Sequence, residues 1–194
     1  MNAHNPASFV EQFPERHRFT VADARLMVET GVIDADLQFE ILDGEILNMP
    51  SEGGPHINFK VELNRFFARA LPDELRVAPD ATLHLAPTDG PEPDLYVFET
   101  GATLEPIEAP RLRLVVEIAS SSLGYDLGRK ASKYAQYGVH EYWVVDINAR
   151  RTHVLRKPDD GAYHEITAVA FDAELVPERI PGIRLTISAL PNLD

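Results

Sequence analysis

The sequence predicts an α/β fold of mixed α+β character, built on one central mixed β-sheet flanked by helices. Two observations carry this. Short apolar runs rich in β-branched and aromatic residues, Leu114-Val115-Val116-Glu117-Ile118 and Tyr142-Trp143-Val144-Val145, have strand length. Between them, Leu127, Ala131, Tyr134 and Gly138 recur at helical spacing, so strand and helix signals interleave. With 194 residues, 44% hydrophobic and 25% charged, the chain is long enough to bury a full core.

In chain order, residues 1–18 are polar with little periodicity and read as a loose N-terminal arm; residues 19–194 read as a single domain. Thr20 caps a helix over Val21–Thr30, with Asp23 in the capping-box position and Gly31 at its end. Phe39–Met49 reads as a hairpin turning at Asp43-Gly44, which sets Glu40 opposite Leu47 and Leu42 opposite Glu45. Glu40 and Glu45 then project from one face. Ser51–Pro55 is a turn, His56–Leu71 a helix, Arg76–Leu85 a strand, and Pro91 and Pro93 lead into a strand opened by Asp94. Arg111–Ala119 follows as a buried strand, Asp126–Gly138 as a helix and Glu141–Ile147 as a second buried strand. Arg151–Arg156, Ala162–Ala168 and Ile183–Ile187 are later strands.

Composition excludes several functions. Zero cysteines rule out disulfides and thiolate zinc sites. Seven scattered histidines form no helical i, i+4 pair, and no phosphate loop or dinucleotide glycine motif occurs. Without an apolar run of membrane-spanning length or a signal-peptide layout, the expected compartment is the cytoplasm, with no membrane partner. The net charge of −13 opposes nucleic-acid binding and predicts weak, salt-sensitive capture of DNA.

Chemistry concentrates between Asp94 and Asp146. Glu117 interrupts the most apolar run, where a buried charge is expensive unless paired or bound to metal. The alternative to a functional Glu117 is a pair with Arg113 on its own face. Asp94 alone could simply start a strand, and Lys130 alone could snorkel. Two carboxylates and a lysine converging from two strands and a helix suit phosphodiester hydrolysis with a divalent cation.

Pro93-Asp94 and the distant Glu117 resemble the PD-(D/E)XK nuclease superfamily. The fuller string is more specific: Pro93-Asp94, Val116-Glu117-Ile118-x-Ser120-x-Ser122, Asp126 with Lys130 and Tyr134 at four-residue steps, and Gly138-Val139-x-Glu141-Tyr142-Trp143-Val144-Val145-Asp146. Together with Phe39 to Ile46 and the Pro50-to-His56 segment, it resembles the Uma-type (Uma-two) restriction endonuclease family, from about Phe19 onward. The resemblance implies a restriction-endonuclease-like core and a Mg²⁺- or Mn²⁺-dependent endonuclease acting on DNA, and suggests a homodimer. Asp94 and Glu117 would ligate the metal, and Lys130 would orient or deprotonate the attacking water. Asp126 and Tyr134 would hold Lys130, and Glu40 would complete the acidic set. His56, after Gly53-Gly54-Pro55, suits a first-turn residue and a substrate contact equally.

One departure stands out. The superfamily's Glu-x-Lys places its lysine at position 119, and this chain has Ala119. At about 100° per residue, Lys130 falls at the margin of the apolar arc and Lys133 about 60° further toward solvent. Lys130 also stacks four residues before Tyr134. The migrated ammonium is therefore assigned to Lys130. Ala119 and the acidic surface favour a second class of protein, a catalytically silent interaction module that keeps the nuclease fold, whereas the co-occurrence of Asp94, Glu117 and Lys130 opposes it and places the enzyme first.

Overall fold

The computed structural model describes residues 16–102, 107 and 109–193. The expected arm lies outside the described residues up to position 15. Helix α1 (Val21–Glu29) starts as anticipated: the Thr20 side chain accepts from the Asp23 amide while the Asp23 carboxylate accepts from the Thr20 amide. This reciprocal bonding satisfies two donors that a helix start otherwise leaves open.

Strands β1 (Phe39–Leu42) and β2 (Glu45–Asn48) form a separate hairpin with Glu40 opposite Leu47 and Leu42 opposite Glu45. Asp43 and Gly44 both take positive φ at its turn (56° and 72°), the conformation that Asp-Gly supplies. Helix α2 (Gly54–Ala70) follows, with Pro55 in its first turn where a missing amide hydrogen costs nothing.

The main sheet has six strands in sequence order: β3 (Leu75–Pro79), β4 (Leu95–Glu99), β5 (Leu112–Ala119), β6 (Glu141–Asp146), β7 (Arg151–Asp159) and β8 (Ala162–Ala170). All neighbours are antiparallel except β5 and β6, a parallel pair. A parallel pair needs a crossover. Here it comprises α3 (Leu123–Tyr125), a π-helical turn (Asp126–Lys130) and α4 (Ala131–Gln136).

Strand alternation divides the core. Leu114, Val116 and Ile118 of β5 face Phe59, Leu63 and Phe67 of α2. Val115 and Ala119 face Ala131, Tyr134 and Ala135 of the crossover. Glu117 belongs to this second face by parity. The sheet is thus covered on both sides, which explains why β5 and β6 read as nearly continuous apolar runs.

Three expectations are corrected. The strand expected over Arg76–Leu85 ends at Pro79, because Asp80 turns to φ 47° and the following segment makes isolated backbone bonds, Leu83 to Pro91 and Leu85 to Asp89, and a local bridge between Ala86 and Asp89 in place of a ladder. Ile183–Ile187 is not a strand. Ile183, Leu185 and Ile187 do alternate into the core, but the segment pairs through one bridge, Leu175 to Leu185, and then enters a 3₁₀ turn at Ile187–Ala189. Lys133 does not face solvent. The π turn carries an extra residue per turn, which breaks the 100° phase, and Lys133 is buried against Asp43 (2.5 Å) and Asp89 (3.4 Å).

Candidate active site

The β4–β5 register sets the site. Leu95 is paired with Val116, so Asp94 and Glu117 occupy the next opposed positions, directly before β4 and near the end of β5. Both line one pocket of about 140 Å³, together with Glu52, His56, Glu92, Asp126 and Lys130. Asp94 is anchored by the Ile118 amide, which donates to Oδ2 at 2.7 Å.

On the crossover side, Lys130 Nζ donates to Glu117 Oε1 at 2.8 Å and lies 3.1 Å from Glu40 Oε2. Tyr134 Oη donates to the same Glu117 oxygen at 3.0 Å. Glu40 also accepts from the Tyr125 hydroxyl and from the Glu92 amide at 3.2 Å. Lys130 therefore sits between two carboxylates brought together from β1 and β5, with 2% of its surface exposed. Arg113, the alternative partner for Glu117, bonds Glu99 instead. Arg129 donates to Glu45 at 2.8 Å and draws it toward the crossover.

Asp126 and Tyr134 do not hold Lys130 directly. The Asp126 carboxylate accepts from Ser122 Oγ at 2.6 Å, whereas Tyr134 reaches Lys130 only through their shared acceptor, Glu117. Ala119 is fully buried in the layer that also holds Val115 and Tyr134.

The α2 side holds a second charged group. His56, in the first turn of α2, places Nε2 3.2 Å from Asp94 Oδ2 and Nδ1 3.3 Å from Glu52 Oε2. Lys60 Nζ contacts Glu52 at 2.5 and 2.6 Å, Asp80 at 2.6 Å and Asp94 at 3.6 Å. Sequence reasoning missed Glu52, Lys60, Asp80, Glu92 and Tyr125. The signal for the first two was present: Glu52, His56 and Lys60 recur at four-residue steps, the spacing that stacks side chains at a helix start.

The electrostatics follow from crowding acids in a desolvated pocket. Burial pushes the Glu117 carboxyl well up; Lys130 opposes the rise, and Asp94 and Asp126 add to it. Burial also raises Glu92 and pushes Asp126 up to about 6. Burial by itself would lower the Lys130 ammonium, but Glu117 and Glu40 override it and hold the group well above its ordinary range. His56 is raised although burial opposes it, because Asp94 and Glu52 outweigh its desolvation. The pocket thus contains more carboxylate than its own cations neutralise, and its oxygen donors match a hard divalent cation.

A mixed sheet with one parallel pair, and a Lys-bearing crossover closing over carboxylates held by the neighbouring strands β4 and β5, define an α/β protein with a nuclease-like fold. More particularly, the chain belongs to the Uma2 family, described as "Putative restriction endonuclease", which matches residues 25–188. It is similar in structure to a putative nuclease belonging to DUF820 from Anabaena variabilis ATCC 29413. The TM-score is 0.63 at 18% sequence identity, covering 82% of this chain and 93% of that one. At that identity the likeness is one of fold. No curated protein matches significantly. Among the described residues, no helix is long and apolar enough to cross a membrane.

Proposed function

We propose that this protein is a metal-dependent endonuclease that hydrolyses phosphodiester bonds in DNA. The observation that carries the reading is the shared pocket that gathers Asp94, Glu117 and Lys130 from two strands and the crossover. Asp94 and Glu117 would hold Mg²⁺ or Mn²⁺. When bound, such a cation supplies Lewis-acid stabilisation of the charge that develops on phosphoryl oxygens.

The chain's own residues divide the remaining work. Lys130 is held protonated by Glu117 and Glu40, so it acts as a fixed positive donor toward the phosphate and not as the base. Asp126 lines the pocket and, at about 6, is the carboxyl poised to take a proton from water near neutral pH. Tyr134 fixes the Glu117 oxygen that Lys130 also uses. Glu40 is fully enclosed and bonded on both oxygens, which suits holding Lys130 better than binding metal directly. By analogy with nucleases of this fold, the working unit is a homodimer of residues 19–194 acting in the cytoplasm.

Ala119 and the net charge of −13 favour a second reading, a catalytically silent interaction module. Cleavage of several DNA forms at low salt with Mg²⁺ or Mn²⁺ separates the two. Lys130→Ala should abolish cleavage while Lys133→Ala retains it, with far more loss in turnover than in substrate affinity. Equal activity of Lys130→Ala and wild type refutes the lysine assignment. No cleavage under any metal favours the silent module.

A further inference from the structure

The geometry points to a second divalent-cation site on the α2 side of Asp94, made by Glu52, His56 and Asp94 and distinct from the Asp94–Glu117 pair. One donor atom from each of these three residues lies within 4.8 Å of the other two, close enough for all three to converge on one ion. The set draws on the segment before α2, the first turn of α2 and the residue directly before β4, so the docking of α2 against the sheet builds it.

His56 gives the independent observation. Its Nδ1 is sealed from solvent and lacks a hydrogen-bond partner, although it lies 3.3 Å from Glu52 Oε2. A buried imidazole nitrogen left in this state has lost its water without regaining a full hydrogen bond. It is a lone-pair donor once its proton is displaced and stands beside Glu52, while Nε2 of the same ring faces Asp94 at 3.2 Å. The group that now occupies the charge of this corner is the Lys60 ammonium, which grips Glu52 and reaches toward Asp94. Lys60 also holds Asp80 at 2.6 Å, so an arriving ion can take Glu52 and Asp94 while the ammonium keeps a partner.

The donor set dictates the class of ion. Two carboxylates and an imidazole suit Mn²⁺, Co²⁺ or Zn²⁺ better than Mg²⁺, which demands an oxygen shell and dehydrates reluctantly. Glu117, by contrast, spends one oxygen on both Lys130 and Tyr134. This site deepens the nuclease reading by giving the same pocket a transition-metal position, and it rests on that reading only for its catalytic relevance.

The test is a crystal of the full chain soaked in Mn²⁺, with Mn²⁺ titration calorimetry of wild type, His56→Ala, His56→Gln and Glu117→Gln. An anomalous peak bonded to His56 and shared with Glu52 and Asp94 is expected, and both His56 variants should lose at least about tenfold in affinity for this site. Glu117→Gln should retain it within about threefold, and Mg²⁺ alone should fill it at least about tenfold more weakly than Mn²⁺. A peak only between Asp94 and Glu117, or Mn²⁺ binding that both His56 variants leave unchanged, overturns the proposal. Cleavage assays on the same samples keep the two ideas apart. A filled His56 site without cleavage of any DNA sinks the nuclease reading alone, whereas cleavage with no ion at His56 sinks the second site alone.

Discussion

Replacing Asp126 by Asn removes one ionisable carboxyl from the pocket while leaving an oxygen that can still accept from Ser122 Oγ, which donates to the native carboxylate at 2.6 Å. Burial is the main force on this carboxyl. Asp94 and Glu40 add repulsion, Ser122 and Lys130 oppose it, and the net result raises it from 3.8 to about 6. A rise of about two pH units, at about 1.4 kcal/mol each, corresponds to about 3 kcal/mol. The sign follows from proton linkage. Between about pH 4 and 6 the folded state keeps the Asp126 proton and the unfolded chain releases it, so the stability attached to this group is present below about 4 and lost as pH rises through about 6. Asp126→Asn should therefore gain on the wild type by about 3 kcal/mol between about pH 4 and pH 7.5. The assay is urea unfolding, read by the fluorescence of Trp143, in EDTA at half-unit pH steps; EDTA matters because a bound cation would stabilise the ionised form. A difference between the two proteins that stays flat with pH, or a variant that loses ground as pH rises, refutes the claim that this carboxyl is held in a desolvated, crowded acidic pocket.

Other expectations follow from the same geometry. Mg²⁺ should raise the melting temperature of the wild type, since a ligand of the native state alone stabilises it, and Glu117→Gln should blunt the response; equal Mg²⁺ shifts in both proteins would place the binding elsewhere. Lys130→Met strips the paired cation from Glu117 and Glu40 and should cost about 3–5 kcal/mol at about pH 7.5, with less loss at lower pH as the Glu117 carboxyl, raised by burial, takes up a proton, measured by denaturant titration. Gly44→Ala should destabilise by about 2 kcal/mol or more, because φ is 72° and an added Cβ meets Arg18 Cβ at 2.5 Å and Cα at 2.8 Å; an unchanged melting temperature would contradict this tight approach at the turn.

The sequence by itself determined what depends on neighbours along the chain. The Thr20–Asp23 capping box, the Asp43-Gly44 turn with its hairpin register, and the apolar runs of β5 and β6 are local patterns, and each appears where the residues place it. Asp94, Glu117 and Lys130 were legible as well, because a charge inside or beside an apolar run marks itself. Tertiary structure decided the rest. Lys133 carries a local pattern that points to solvent, yet a π turn shifts its phase and Asp43 and Asp89, both distant in sequence, supply its partners. Ile183–Ile187 alternates like a strand but finds one backbone bridge, since pairing needs an edge in reach as well as a pattern. Glu40 meets Lys130, and His56 meets Asp94, only because the hairpin and α2 dock around the same end of the sheet. Backbone propensity and hydrophobic period act over a few residues, whereas the partner of a buried charge is chosen by which distant surface excludes water from it.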